Sequence, residues 1–406
     1  MLKSKMNIKN LTLSGLLLLF LATGCDVATS QSGLPEFIDK GLQDAGKQYK
    51  YLLKQTPEDK LPRSFEKGEL ITSDSRWWCS GFYPGTLLYL FEETQDKELY
   101  NEALEKLKLL EKEQFNKSTH DLGFMMYCSY GNAYRLNPSD KYKDILLNSA
   151  RSLSSRFNEK VGCIRSWNSK EKDKFLVIID NMMNLELLFW ATKATGDSSF
   201  YNMAVTHANT TMDNHFRPDN SSFHLVNYHP ETGTPQVKET VQGAADESAW
   251  ARGQAWGLYG FTVMYRETKD EKYLDMANRI AEFILTHPNL PKDKIPYWDF
   301  DAPEIPDAPR DASAGAIMAS ALIELAGFNE NKIRENYLEA AETMLQSLSS
   351  PTYRASYGDQ GGFILKHSVG SIPHNLEVDA PLTYADYYYV EALTRYKKNQ
   401  EDILNK

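Results

Sequence analysis

The stretch Tyr265–His287, YRETKDEKYLDMANRIAEFILTH, contains the unit from which most of the chain is built. It closes one helical segment, turns at Asp270, and continues as a second segment whose apolar residues recur every three to four positions. That spacing places the apolar residues on one face of an α-helix, with Tyr273 as the aromatic anchor near its start. The stretch therefore predicts a helical hairpin with an amphipathic second helix.

Four other stretches repeat this unit, the last of them loosely: 91–115, 134–157, 190–216 and 327–348. With further helical segments near 36–54 and 383–398, the repeats make about six hairpins. The sequence therefore predicts an all-α fold, an (α/α)6 barrel in which the hairpins form a closed ring. An open solenoid is the alternative, but the terminal helices could close the ring.

The segments between the repeats are rich in Gly, Ala, Met and aromatic residues, which indicates inner helices that face the centre of the ring. They span 81–92, 121–135, 180–194, 250–267 and 311–327. Short strand patterns occur at 174–179, 223–228 and 362–367. Gly- and Pro-rich loops span 216–247, 288–311 and 349–382, and such loops at one end of the ring are where a functional site is expected.

The N-terminus has the pattern of an exported lipoprotein. Basic residues precede the apolar run Leu11–Phe20, and the following LATGC resembles a bacterial lipobox that ends at Cys25. We expect a signal peptide at 1–24, a lipidated Cys25 with a tether over 25–35, and a single domain over 36–406. The lipid would anchor this domain to a membrane, and we expect it to face the periplasm, with cell-surface display as the alternative.

The 406 residues include 45 basic and 55 acidic side chains, for a formal net charge of −10. This balance argues against a nucleic-acid-binding protein with a broad basic face. Cys79, Cys128 and Cys163 lack the spacing of a zinc site, and the sequence contains no glycine-rich phosphate loop and no nucleophile elbow. The sequence thus predicts free, mostly buried thiols and neither a metal nor a cofactor.

Two aspartates open successive inner helices. Asp180 follows the apolar run 175–179, and Asp121 precedes the segment Leu122–Met126. An Asp at a helix start is by default an N-cap, which accepts a backbone N–H. The apolar flanks, however, would raise a carboxyl pKa toward that of a general acid. On one rim of the ring the two carboxyls could meet, as acid–base chemistry on sugars requires.

The segment Trp250–Trp256, WARGQAW, starts another inner helix with two large aromatic residues and one cation. Aromatic rings cover sugar faces, and Arg252 could grip a carboxylate. The structural alternative is a Trp-rich core in which Arg252 pairs with Asp246 or Glu247.

Five motifs together resemble glycoside hydrolase family 88, the unsaturated glucuronyl hydrolases. They are RWWCSGFYPGTL (76–87), DLGFMM (121–126), IIDNMMN (178–184), DESAWARGQAWGLYG (246–260) and EVDAPLTYADYYYVEAL (377–393). They occur in order over nearly all of the chain that follows the lipobox. The resemblance implies an (α/α)6 barrel, in agreement with the hairpin count.

The resemblance also implies the reaction. The substrate is an oligosaccharide with a terminal 4,5-unsaturated uronic acid, and the enzyme hydrates the C4=C5 double bond instead of attacking the anomeric carbon. Asp180 matches the general acid and base of the family. Asp121 matches a second aspartate that holds substrate hydroxyls and influences Asp180.

The resemblance further assigns binding roles. Gln242, Arg252 and His224 would bind the carboxylate and hydroxyls of the uronate, while Trp167 and Trp256 would stack on it. One of Trp77 and Trp78 would line the same site. A loop with Ser368 and Ser371, preceded by Lys366, falls where the family recognises the next sugar and any sulfate on it, which would suit a glycosaminoglycan fragment.

Two other functions stay open at this point. The related rhamnogalacturonyl hydrolases share the barrel and the hydration chemistry but act on pectin fragments. A non-catalytic, glycan-binding helical lipoprotein would explain the lipobox and the aromatic residues, but not two aspartates that open inner helices. The sequence does not determine the oligomeric state.

Overall fold

The structure, a computed structural model, describes residues 36–404. The predicted signal peptide, the lipidated Cys25 and the tether to residue 35 lie outside the described residues, so the domain boundaries stay predictions. Among the described helices, none is both long and apolar enough to cross a membrane.

Six outer helices alternate along the chain with six inner helical segments. The outer helices are α1 (Glu36–Gln55), α3 (Lys97–Leu110), α5 (Asp140–Ser154), α7 (Ser198–Asn214), α9 (Glu271–Thr286) and α11 (Asn331–Ser349). The inner segments are α2 (Phe82–Thr94), a π-helix (Gly123–Gly131) that continues into α4 (Asn132–Leu136), α6 (Leu185–Thr195), α8 (Ala251–Thr268), α10 (Ala312–Ala326) and α12 (Thr383–Leu404). Successive inner segments contact each other, and α12 packs against α2, so the ring is closed. The predicted (α/α)6 barrel is confirmed, and the open solenoid is excluded.

The turns of the hairpins follow the sequence pattern in most repeats. Asp96, Asp197 and Asp270 each accept a hydrogen bond from a backbone N–H in the first turn of the outer helix that follows. In the second repeat the cap is Ser139, and Asp140, the expected turn residue, is instead the first residue of α5. An acidic residue there is still favourable, because the helix N-terminus carries partial positive charge.

Short strands cover the loop end of the ring. They are β1 (Leu61–Glu66), β2 (Glu69–Ser73), β3 (Phe157–Asn158), β4 (Cys163–Ile164), β5 (Phe175–Ile178), β6 (Leu225–Tyr228), β7 (Pro235–Glu239), β8 (Ser368–Ser371) and β9 (Leu376–Ala380). The strands predicted at 174–179 and 223–228 are confirmed as β5 and β6, which pair antiparallel. The strand predicted at 362–367 is wrong. Gly362 and His367 both have positive φ, which interrupts extended backbone, and β8 begins only at Ser368.

Four aromatic rings fill the middle of the barrel. Phe82, Phe124, Trp256 and Tyr388 form a closed circuit with ring centroids 5.1–5.8 Å apart. They come from α2, the π-helix, α8 and α12, so one cluster joins four inner segments. We call this cluster the aromatic floor, because the loop end of the barrel lies above it. The three cysteines expected to be free are free, with Cys79 and Cys163 buried and Cys128 partly buried.

Candidate active site

Strand β5 and a 3₁₀ turn place Asp180 at the loop end of the barrel. The turn spans Ile179–Asn184 and leads directly into α6. The Asp180 side chain is 13% exposed, and its Oδ2 is buried without a hydrogen-bond partner. The turn carboxylates of the outer helices, in contrast, cap helix amides. Oδ2 of Asp180 therefore accepts no helix amide. The N-cap role, which is the default for an Asp at a helix start, does not apply to this atom.

Burial raises the pKa of Asp180 to about 7. The positive charge of Arg252 opposes this rise, the negative charge of Asp121 adds to it, and the nearby indole N–H of Trp256 opposes it. Because the carboxyl form is abundant near neutral pH, Asp180 can donate a proton there and take one back. A perturbed carboxyl beside a second carboxyl is typical of a catalytic site.

Asp121 lies at the entrance to the π-helix, close enough for its charge to act on Asp180. Its Oδ2 accepts a hydrogen bond from Thr119 Oγ1 at 2.8 Å, and its Oδ1 lies 3.1 Å from His120 Nε2. The side chain is 14% exposed. The negative charge of Asp121 raises the pKa of Asp180, which agrees with the prediction that the two carboxyls lie near each other at one rim.

His224 joins the pair from the start of β6. Its Nδ1 accepts the N–H of Val241 at 3.0 Å, so in the neutral ring the proton lies on Nε2, which is 3.7 Å from Asp180 Oδ2. Burial is the main cause that lowers its pKa to about 3, so the ring is neutral at physiological pH. Trp167 packs edge-on against this imidazole at 5.8 Å, and Gln242 lies half-buried next to Val241. The structure thus brings His224 to Asp180 and Trp167 to His224, and Gln242 follows the residue whose amide orients His224.

Arg252 requires a correction. It pairs with neither Asp246 nor Glu247, as the structural alternative had it, but with Asp311 at 3.3 Å. Its two terminal nitrogens also donate to the backbone carbonyls of Val369 and Gly370 in β8, and only 2% of its side chain is exposed. Both nitrogens that a two-pronged grip on a substrate carboxylate would use therefore have partners inside the protein in this structure.

Trp256 also differs from the prediction. Its side chain is 0% exposed and its ring belongs to the aromatic floor, so it has no free face on which a sugar could stack. The indole Nε1 is buried without a well-aligned partner, and its interaction with Asp180 lowers the pKa of that carboxyl. Trp256 therefore influences the pKa of Asp180 from within the aromatic floor.

The tryptophan pair at 77 and 78 divides between two surroundings. Trp78 packs on Phe124 of the aromatic floor at 5.5 Å and on Tyr384 at 4.9 Å. Trp77 lies under the guanidinium of Arg63, which is paired with Glu377. Both rings are half-buried, and Trp78 is the one in contact with the floor beneath the carboxyl pair.

The predicted sulfate-binding serines are not open to a ligand. Ser368 is 0% exposed and Ser371 is 2% exposed, because both lie in β8. The hydroxyl of Ser371 is hydrogen-bonded to His374 Nδ1 at 2.8 Å, and Lys366 donates to the carbonyl of Pro351. Strand formation therefore buries both hydroxyls, and neither faces an open pocket in this structure.

Sequence reasoning missed Asp311 and Asn184. Asp311 caps α10 and also accepts from Arg252 and from the N–H of Val369. Its Asp-Ala-Ser context is a recognisable cap signal, but nothing local in it indicates a contact with Arg252, 59 positions away. Asn184 hydrogen-bonds to the amides of Gly123 and Phe124. Within residues 36–404, no group of three His, Cys, Asp or Glu side chains is arranged to hold a metal ion.

Comparison with known proteins gives consistent results. The model of Glycosyl Hydrolase Family 88 matches residues 47–400. The chain is 45% identical to an unsaturated glucuronyl hydrolase of Formosa agariphila over 93% of its own length and 95% of that protein. It is 36% identical to an unsaturated chondroitin disaccharide hydrolase of Streptococcus agalactiae, over 81% of its length and 83% of that protein.

Solved structures resemble this one closely. A crystal structure of an unsaturated glucuronyl hydrolase specific for heparin superposes with a TM-score of 0.87 at 47% identity, covering 90% of this chain and 98% of that chain. A mutant of the Streptococcus agalactiae unsaturated glucuronyl hydrolase, in complex with dGlcA-GalNAc6S, superposes with a TM-score of 0.77 at 32% identity, covering 89% of this chain and 92% of that chain.

Proposed function

Because the chain belongs to glycoside hydrolase family 88, we propose that it hydrates the C4=C5 double bond of a terminal unsaturated uronic acid and so releases that sugar from an oligosaccharide. The observation that carries the mechanism is Asp180, a buried carboxyl whose pKa is raised to about 7 beside a second carboxyl and a neutral imidazole. This arrangement suits one group that first gives a proton and then accepts one.

The first step is protonation of the double bond. The carboxyl of Asp180 donates its proton to C4, and the electron pair of the double bond forms the new C–H bond. Positive charge develops at C5, where the ring oxygen shares it. The Asp180 carboxylate that remains lies where this charge forms and stabilises it electrostatically.

The second step is addition of water. A water molecule attacks C5 and gives a proton to the Asp180 carboxylate, which restores the starting carboxyl. The product is a hemiketal at C5. It opens to a ketone as the C5–ring-oxygen bond breaks, and the hemiacetal left at C1 then collapses to release the remaining saccharide. The atoms balance with one water consumed and no other co-reactant.

Neighbouring side chains have binding and electrostatic roles in this proposal. Asp121 accepts substrate hydroxyls and keeps the pKa of Asp180 raised by its charge. His224 presents Nε2–H toward the same region, and Trp167 beside it offers part of a ring to the sugar. The half-buried amide of Gln242 is available to the uronate carboxylate. Arg252, which donates to the backbone of β8, supplies positive charge near Asp180.

For the substrate we propose a glycosaminoglycan disaccharide produced by a polysaccharide lyase. Support comes from relatives whose names specify chondroitin disaccharides and from the structural neighbour specific for heparin. The test follows the loss of the ultraviolet absorbance of the double bond with unsaturated chondroitin, heparin and rhamnogalacturonan disaccharides. Turnover of a chondroitin or heparin disaccharide is expected. Turnover of the rhamnogalacturonan disaccharide alone would contradict the proposal, as would calorimetric binding without turnover.

We also propose that the protein is a lipoprotein anchored through Cys25 and facing the periplasm. Support comes from the N-terminal sequence, whose apolar run ends in Leu-Ala-Thr-Gly-Cys25. In a Cys25→Ala variant the enzyme should leave the membrane fraction and keep its activity. Unchanged membrane association would contradict lipidation, and cleavage by protease added to intact cells would indicate cell-surface display instead.

A further inference from the structure

Asn184 connects the two helical segments that carry the catalytic aspartates. It is the last residue of the 3₁₀ turn that bears Asp180, and it is completely buried. Its Oδ1 accepts hydrogen bonds from the backbone N–H of Gly123 at 2.8 Å and of Phe124 at 3.2 Å. These amides open the π-helix that follows Asp121, and amides in the first turn of a helix have no partner within the helix itself. Asn184, which lies on the segment that bears Asp180, thus caps the helical segment that follows Asp121.

A close backbone approach reinforces this cap. A Cβ atom on Gly123 would lie 2.5 Å from Asn184 Cα and 2.6 Å from Asn184 Oδ1, closer than any real contact allows. The two segments therefore meet at a distance that only glycine permits. The same turn is held from its other side, because Asn181 Nδ2 donates to the carbonyl of Ile164 at 2.7 Å.

The path from one aspartate to the other through this contact is short. Asp180 lies four residues before Asn184, and Asp121 lies two residues before Gly123. Because only a few residues separate each aspartate from the Asn184–Gly123 contact, a change at this contact moves one carboxyl relative to the other. Asn184 itself is too buried to touch a substrate, so it can affect the reaction only through the residues that it positions.

We propose that Asn184 is a positioning residue that fixes the separation between the carboxyls of Asp121 and Asp180. This inference rests on the proposed function, in which these two carboxyls perform the reaction. Without the contact, Asp121 moves away and its charge acts more weakly on Asp180. The pKa of Asp180 then falls, and the proton donor is lost at a lower pH than in the wild type.

The test compares Asn184→Leu, which has nearly the same shape but no acceptor, with Asn184→Asp, which keeps the acceptor oxygen. For Asn184→Leu we expect kcat to fall about tenfold or more. We also expect the alkaline limb of the kcat–pH profile to move down by on the order of half a pH unit. Asn184→Asp keeps the acceptor oxygen and adds a negative charge, so it should keep more of kcat than Asn184→Leu, and its alkaline limb should not move down.

Asn132→Leu is the matched control. Asn132 is buried in the inner segment that begins at Gly123, where its Nδ2 donates to the carbonyl of Cys128 at 2.8 Å and to Tyr387 Oη at 3.1 Å. Its loss should lower the melting temperature without moving the pH profile. If Asn184→Leu and Asn132→Leu change stability, kcat and the profile alike, Asn184 has only a structural role and the inference is wrong.

A second variant covers the case in which Asn184→Leu does not fold. Gly123→Ala keeps every hydrogen-bonding group and pushes the two segments apart, so it should also lower kcat and move the alkaline limb down. An unchanged profile in folded Gly123→Ala would overturn the inference. Asp180→Asn separates this failure from a failure of the proposed function: if that variant kept full activity, the proposed function itself would be wrong.

Discussion

His224 Nε2 and Asp180 Oδ2 lie 3.7 Å apart, and both atoms are buried without a hydrogen-bond partner among the described residues. Buried polar atoms are normally satisfied, so an imidazole nitrogen and a carboxyl oxygen that face each other in this way are unusual for a purely structural pair. The Nε2–H of His224 can donate, and the carboxyl of Asp180 can donate or accept.

The first prediction concerns Asp180→Asn. The amide keeps the size of the side chain but removes the transferable proton, so kcat should fall by at least about 10²-fold in a folded protein. Asp386→Asn is the control, since Asp386 is also a buried carboxyl whose pKa is raised to about 7, but it accepts the amides of Ile364 and Leu365. The control should change stability more than turnover. Equal turnover in both variants would remove Asp180 from the mechanism.

The same variant makes a prediction for stability. The folded-state pKa of Asp180 is raised, so its favourable contribution is complete below the unfolded-state pKa and is lost as pH rises through about 7. Asn cannot ionise and escapes this loss. The melting temperature of Asp180→Asn relative to wild type should therefore be higher at pH 8 than at pH 4, and a difference independent of pH would contradict the raised pKa.

The pH dependence of the reaction supplies another prediction. Because the donor must be protonated, kcat/KM should decline as pH rises through about 7. Asp121→Asn removes a negative charge that raises the pKa of Asp180, so the residual activity of that variant should decline at a lower pH. A profile that keeps its alkaline limb in Asp121→Asn would show that the two carboxyls are not coupled.

Trp256→Phe separates the observed role of this side chain from the stacking expected of it. Phe keeps a ring in the aromatic floor but removes the indole N–H, whose interaction with Asp180 lowers the pKa of that carboxyl. The alkaline limb should therefore move to higher pH, with KM little changed. Trp298→Phe, at another buried indole whose Nε1 is unpartnered, is the control and should leave the profile in place. If KM rises and the alkaline limb of the pH profile does not move, the result would favour stacking of Trp256 on the sugar instead.

Arg252→Lys tests whether Arg252 acts through β8. A lysine cannot reach Asp311 and the carbonyls of Val369 and Gly370 together, so the melting temperature should drop. The lost charge-assisted hydrogen bonds are worth roughly 1.5–3 kcal/mol of folding stability. We also expect kcat/KM to fall, because the positive charge that acts on Asp180 is no longer held in place by β8. Arg217→Lys is the control, because Arg217 also donates to backbone carbonyls, at Asp246 and Ser248. It should cost stability with little loss of kcat/KM.

A methyl-esterified uronate distinguishes this indirect role of Arg252 from direct binding. If Arg252 acts through β8, esterification should slow the wild type and Arg252→Lys by the same factor. A clearly smaller factor in the variant would mean that the guanidinium contacts the substrate carboxylate after all.

Local patterns in the sequence predict the helical hairpins well, because periodicity, turn residues and caps are properties of neighbouring residues. The two aspartates are predicted for the same reason, since each prediction follows from the position of the residue at the start of an inner segment. The partners of Arg252 and the burial of Trp256, Ser368 and Ser371 depend on contacts between distant parts of the chain. A motif shows which residue type occupies a position but not whether its side chain is accessible. The burial of these side chains is therefore visible only in the structure.

A single-turnover reaction in D2O with excess enzyme shows whether the enzyme adds a proton to C4 of the unsaturated uronate through Asp180. Nuclear magnetic resonance of the released uronate, taken before solvent exchange at the carbon next to the ketone, should show one deuteron at C4 and no double bond. Asp180→Asn should form no product on the same timescale. A released uronate that still carries its C4=C5 double bond would show cleavage at the anomeric carbon and would contradict the account.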